Sequence, residues 1–154
     1  MVTKQLLAMI KQKGFTLLET LIVLGLISLT FSFGTLQLRQ IRDASNERHF
    51  WQALQQEWQV SQTRAQGDNN GTDIVYLAGP QIIRFKWRAA DYTTHYNDVA
   101  IPVTIKVVSF APLKMLANGY VKAQTQKFRS MLTNQTYDMK VQLAWGGYYV
   151  AVEK

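Results

Sequence analysis

Hydrophobic and polar positions divide the chain into three regimes. From Phe15 to Leu38 apolar residues dominate every helical face, and Glu19 is the only charge. At about 1.5 Å per residue, a helix of that length spans the roughly 30 Å hydrocarbon core of a bilayer. From Arg39 to Gln66 the period changes. Ile41, Ala44, Trp51, Leu54, Trp58 and Ala65 recur at helical spacings and form one apolar stripe, while Arg42, Arg48, Gln52, Gln55, Gln56, Gln59 and Gln62 fill much of the remainder. No glycine or proline intervenes between Thr35 and Gln66. The pattern predicts one continuous helix from Phe15 to Gln66, apolar all round in its first half and amphipathic in its second. No proline precedes Pro80, so a proline kink is not expected, and Gly34 is the weakest point.

Gly67-Asp68-Asn69-Asn70-Gly71 ends the helix as a loop. Strand patterns follow. Asp73 to Ala78 is a short β-rich run stopped by Gly79-Pro80. Gln81 to Arg88 alternates, with Ile83, Phe85 and Trp87 on one face and Arg84, Lys86 and Arg88 on the other. Ala89 to Asp98 reads as a loop and Ile101 to Phe110 as a strand, while 111–118 is ambiguous. Gly119 to Phe128 and Thr136 to Trp145 are further candidate strands, the latter with Tyr137, Met139, Val141, Leu143 and Trp145 on one face. Gly146-Gly147 reads as a two-residue hairpin turn before Tyr148 to Val152. The expected fold class is α+β: one long N-terminal helix, and a meander of antiparallel strands packed on its second half.

Charge sharpens the start of the chain. Lys4, Lys11 and Lys13 precede the apolar stretch without any acid, and removing residues 1–14 would lower the net charge from +7 to +4. A balance of +4 bears on solubility more than on nucleic-acid binding. There are no cysteines, which excludes disulfides, thiolate metal sites and thiol catalysis. Glu19 is the anomaly, since a carboxylate at the centre of a membrane helix costs about 2.5–3.5 kcal/mol. A cut after Gly14 would give Phe15 a free amine one turn away. It would also leave Glu19 in the first turn, where the helix dipole favours negative charge.

The run Gly14-Phe15-Thr16-Leu17-Leu18-Glu19, with its basic leader and following apolar helix, resembles the class III leader of type IV prepilins and pseudopilins. The resemblance implies a pilin-like fold and cleavage by a prepilin peptidase between Gly14 and Phe15. It also implies N-methylation of Phe15 and a role for Glu19 in assembly. The implied layout is a leader over 1–14, a transmembrane and assembly helix over 15–38, its amphipathic continuation over 39–66, and a β-rich head over 67–154. Lys4, Lys11 and Lys13 on one side of the apolar stretch balance Arg39, Arg42 and Arg48 on the other, so positive charge leaves orientation open. The resemblance implies a single pass through the cytoplasmic membrane, with the N-terminus in the cytoplasm and the head outside. The implied partners are the peptidase, that membrane and other pseudopilins, with DNA touched only indirectly or weakly. The run from Val141 to Val150 is similar to the closing hairpin of ComGD-type minor pseudopilins of Gram-positive competence systems, although Ala144 stands where that pattern has glycine. This implies a structural subunit of a competence pseudopilus that assists DNA uptake. A membrane-anchored DNA receptor and a pseudopilin of type II secretion are the alternatives. For the apolar segment alone, a plain signal anchor, or a signal peptide cut near Ser32-Phe33-Gly34, are the other readings.

Nothing in the sequence points to an enzyme, a cofactor or a metal. Asp91, His95 and Asp98 match no named metal spacing and read as a solvated loop. Asp68, Asn70, Thr72 and Asp73 resemble the start of a calcium loop, but Asp73 and Gly79 fall where such a loop needs glycine and glutamate. Arg84, Lys86 and Arg88 make a basic stripe. Alternation turns Phe85 and Trp87 to the opposite face, which separates stacking from phosphate contacts.

Overall fold

The computed structural model describes residues 16–142 and 146–153, the side chains of 31–38 excepted. Two compact units are present, Met1–Gln40 and Ile41–Lys154. One helix, α1 (Leu17–Asp68), contributes to both. It continues through Gly34 without interruption and passes the expected end at Gln66. Asn69 takes up the left-handed conformation at φ 52° and terminates it, a common role for asparagine at a helix end.

In the second unit eight strands follow: β1 (Thr72–Leu77), β2 (Ile82–Arg88), β3 (Thr94–Ala100), β4 (Ile105–Ser109), β5 (Leu113–Met115), β6 (Thr125–Ser130), β7 (Thr136–Val141) and β8 (Tyr148–Val152). They form two four-stranded antiparallel sheets, ordered β3-β2-β1-β5 and β4-β6-β7-β8. The expected single meander is therefore corrected. β5 returns to pair with β1, so β4 and β5 belong to different sheets although they are neighbours in sequence.

The core lies between the second part of α1 and the sheets. Phe50, Leu54, Trp58 and Ala65 from the helix meet Ile74, Ile83, Phe85, Leu113 and Met115 of one sheet and Phe128, Met139 and Val141 of the other. Each large apolar side chain so buried contributes about 1.5–3 kcal/mol. The buried stripe of α1 differs from the expected one. Ile41 is exposed, whereas Glu47, Glu57 and Ser61 are buried among the apolar positions. The two glutamates are tolerated because each meets a partner from a different sheet. Ser130 Oγ on β6 donates to Glu47 at 2.9 Å, and Asn97 Nδ2 on β3 donates to Glu57 at 2.5 Å.

Three strand expectations and one turn are also corrected. Ala89–Asp98 is not all loop, because β3 occupies its second half. It is an edge strand with one buried residue, Val99, so it lacks the apolar alternation that marks a strand. Strand structure begins at Ile105 rather than Ile101, because the Pro102 carbonyl accepts the Ile105 N–H at 2.9 Å and closes a turn. Gly119–Gln124 is irregular, since Gly119 is left-handed at φ 79° and only an isolated bridge joins Val121 to Met115. The expected strand from Thr136 is present as β7 up to Val141, and its remaining positions Leu143 and Trp145 lie outside the described residues. Gly146-Gly147 is not the hairpin turn. Val141 pairs with Tyr148 and Gln142 donates to the Gly147 carbonyl at 2.8 Å, so Gly147 stands opposite Gln142 and Gly146 precedes it in the connection.

Tyr148 offers a pH test of this packing. Burial pushes its phenol up from the ordinary value of 10.0. A folded-state value raised above the unfolded one favours the protonated native form. Its stabilisation is complete below about pH 10 and is lost as pH rises toward the folded value. Thermal melts from pH 8 to 11 are expected to show the wild type losing stability above about pH 10 more steeply than Tyr148→Phe. Parallel curves would contradict this assignment.

Candidate functional site

The first turn of α1 carries the residues that the leader pattern singles out. Gly14 and Phe15 lie outside the described residues. Thr16 caps the helix, its carbonyl accepting the Glu19 and Thr20 N–H groups at 3.0 and 3.2 Å and its Oγ1 approaching the Glu19 N–H at 3.3 Å. Thr16 to Glu19 has capping-box spacing, a sequence signal that the leader reading passed over. Among the described residues no donor or cation meets the Glu19 carboxylate, which is exposed in the first turn.

The next residues form a bare apolar surface. Leu17 is 78% exposed, Leu18 67% and Leu24 60%, and Leu21, Ile22, Leu26, Ile27 and Leu29 are also exposed. These positions surround the helix, unlike a surface helix with one apolar stripe. The hydroxyls in the stretch turn inward on the backbone. Thr20 donates to Leu17 O, Ser28 to Leu24 O and Thr30 to Ile27 O, each at 2.8 Å. Such back-bonding satisfies polar groups without water, as an apolar environment demands. Among the described residues no helix is long and apolar enough to cross a membrane. The stretch 15–38, expected to do so, includes Phe15 and side chains that lie outside them.

In the head, the candidate metal residues are engaged in different places. Asp91 accepts from the Thr93 N–H and hydroxyl at 3.0 and 2.6 Å, which hold its carboxyl below the usual range. The Thr93 hydroxyl also meets His95 Nε2 at 2.8 Å. Asp98 is bound by Arg84 through two 2.7 Å bonds, which lower its pKa. Among the described residues no three histidine or acidic side chains gather as a metal site. Of the calcium-loop candidates, Asn70 donates to Arg88 O at 2.6 Å and Thr72 is buried in the sheet. A cavity of about 570 Å³ separates α1 from β3 beside His49, Glu57 and Asp98. Its two acids are committed to Asn97 and Arg84.

The basic stripe is rearranged by strand pairing. Trp87 does face away from it, under the Arg64 guanidinium at 3.5 Å and stacked with His95 at 5.7 Å. Tyr96, however, is the cross-strand partner of Lys86, and the Arg84 guanidinium lies 4.5 Å from its ring centre. An aromatic therefore joins the basic face. β3 has one buried residue and no apolar alternation, so its sequence does not announce this pairing.

Comparison with known proteins bears on the helix start and on the fold. Residues 9–34 match the family described as "Prokaryotic N-terminal methylation motif". No curated protein matches the chain. The solved structure of the minor pseudopilin EpsH from the type 2 secretion system of Vibrio cholerae is similar, with a TM-score of 0.54 at 13% identity over 70% of this chain and 97% of that one. The fold is pilin-like. A long N-terminal helix followed by antiparallel sheets matches the pseudopilin architecture, as the leader resemblance implies. At 13% identity the match concerns architecture, and the methylation motif is the separate signal at the helix start.

Proposed function

We propose that the chain is a minor pseudopilin, a structural rather than catalytic subunit of a type IV pilus-like filament. The reading is carried by one conjunction: a prokaryotic methylation motif lies at the start of the long helix of a pilin-like fold. On this reading a prepilin peptidase cuts between Gly14 and Phe15, and the new Phe15 amine is methylated. Residues 15–38 cross the cytoplasmic membrane once, with the N-terminus in the cytoplasm and the head outside. They then leave the bilayer to pack among the helices of other pseudopilins. The exposed apolar surface from Leu17 to Leu29 and its back-bonded hydroxyls suit both surroundings.

The C-terminal run from Val141 to Val150 supports placing the subunit in a competence pseudopilus that assists DNA uptake, with DNA touched only indirectly. Residues 143–145 of that run lie outside the described ones. The similarity to EpsH favours a second reading, a subunit of a type II secretion machine. Deleting the gene separates them. The competence reading expects transformation to be lost with protein secretion intact, and the reverse pattern would transfer the subunit to secretion.

A further inference from the structure

The outer face of the β3-β2-β1-β5 sheet carries charge that the fold leaves uncompensated. Register sets one row across all four strands: Tyr96 beside Lys86, Lys86 beside Asp73, and Asp73 beside Lys114. Direct cross-strand partners share a face, and all four are exposed. Arg88 lies two residues beyond Lys86, on the same side of β2. Among the described residues neither lysine nor Arg88 has an ion pair, and neither does Asp73. In the other sheet the cross-strand neighbours Lys106 and Arg129 likewise have no ion pair among the described residues, but the lysines of β6 and β7 do. There Lys127 meets Glu153 and lies 3.8 Å from Asp138, while Lys140 lies 3.6 Å from Asp138.

The uncompensated row is also shaped. A cavity of about 310 Å³ is lined by Lys86, Arg88 and Lys114, with Asp73, Trp87, Thr94 and Gly71. Gly71 has a structural reason to lack a side chain, since a Cβ there would lie 2.7 Å from the Met115 carbonyl oxygen. Tyr96, 61% exposed, borders the row and supplies a broad amphipathic surface beside the cations.

We propose that this face docks an acidic protein segment, with Lys86, Arg88 and Lys114 receiving its carboxylates and Tyr96 packing against its apolar groups. Charge complementarity decides the class of partner. Three free cations less Asp73 give a local excess of two, far below the six to ten phosphate contacts of a tight nucleic-acid binder. Asp73 and Asp98 would also repel a continuous phosphate backbone, whereas a peptide can place its discrete carboxylates away from them. Tyrosine and arginine are the residue types that anchor protein interfaces. The proposal goes beyond the assembly reading and does not rest on it, because an uncut chain would present the same face.

The test uses the full chain in a non-ionic detergent, with fluorescent oligoglutamate as probe and anisotropy as readout. Binding at low salt is expected, weakened about tenfold or more by Lys86→Glu with Lys114→Glu. Lys106→Glu with Lys122→Glu, the same charge change at exposed positions elsewhere, is expected to leave it nearly intact. Tyr96→Ser should weaken it several-fold. Equal losses in the two double variants would reduce the effect to net charge and overturn the proposal. Tighter binding of single-stranded oligothymidylate than of oligoglutamate would also overturn it, by making the face a nucleic-acid surface. Absence of oligoglutamate binding at low salt would do the same.

Discussion

Glu19→Ala is expected to leave the head folded and the leader cut, and to abolish entry of the subunit into filaments. The argument is energetic. Among the described residues the Glu19 carboxylate has no partner, while the hydroxyls of Thr20 beside it and of Ser28 and Thr30 further along the helix are satisfied by backbone carbonyls. In an apolar surrounding an unpaired carboxylate costs about 2.5–3.5 kcal/mol. On the proposed reading, cleavage supplies an amine at Phe15, and a neighbouring subunit presents the same amine at a similar depth. Pairing across subunits offsets the desolvation of both charges and sets axial register, since a mismatched stagger leaves both buried and unpaired. Alanine removes that selection while keeping the helix, in which it is the most favourable residue. The head has its own core, beginning beyond Gln40, so its melting is expected to be unchanged. Immunoblots of sheared filaments against membrane fractions check the result. Normal incorporation of the variant would mean that Glu19 is satisfied within its own chain and that apolar packing alone sets register.

The largest stability effect is expected at Trp58. Its side chain is 2% exposed, its ring meets Tyr148 edge-on at 5.0 Å, and its Nε1–H donates to the Gly146 carbonyl at 2.8 Å. It thus ties α1 to the backbone just before β8. Gly146 is left-handed at φ 60°, and an added Cβ would fall 2.0 Å from the Gly119 carbonyl oxygen, so glycine permits the approach. Trp58→Ala is expected to cost about 3–5 kcal/mol through the cavity it leaves. Trp58→Phe retains most of the apolar volume but strands the Gly146 carbonyl, for a loss of about 1–3 kcal/mol. Urea unfolding of the head signal measures both. Losses below about 1 kcal/mol in both variants would contradict this account of how the helix is held.

What was legible in the sequence follows a physical division. The long helix was readable because its apolar half is continuous and its second half has a dominant 3.6-residue period. β2 was readable because Ile83 and Phe85 alternate with charged residues. The stripe of α1 was misread at Ile41, Glu47 and Glu57. Pattern reading assigns glutamate to water and isoleucine to the core, whereas the partners Ser130 and Asn97 are remote in sequence. β3 was hidden because an edge strand with one buried residue has no apolar alternation. Gly146 is required by its left-handed backbone and its close approach to Gly119, not by a two-residue turn with Gly147. The methylation motif was legible because it is carried by contiguous sequence, while the acidic-docking face was not, because it exists only once four strands are in register.

The mature N-terminus is the most direct test of the central claim. Intact-mass and terminal-peptide mass spectrometry on protein from peptidase-expressing cells is expected to find a chain that begins at Phe15 with a methylated amine. An uncut chain beginning at Met1, or one beginning at Thr35 after signal-peptide cleavage, would contradict the pseudopilin account.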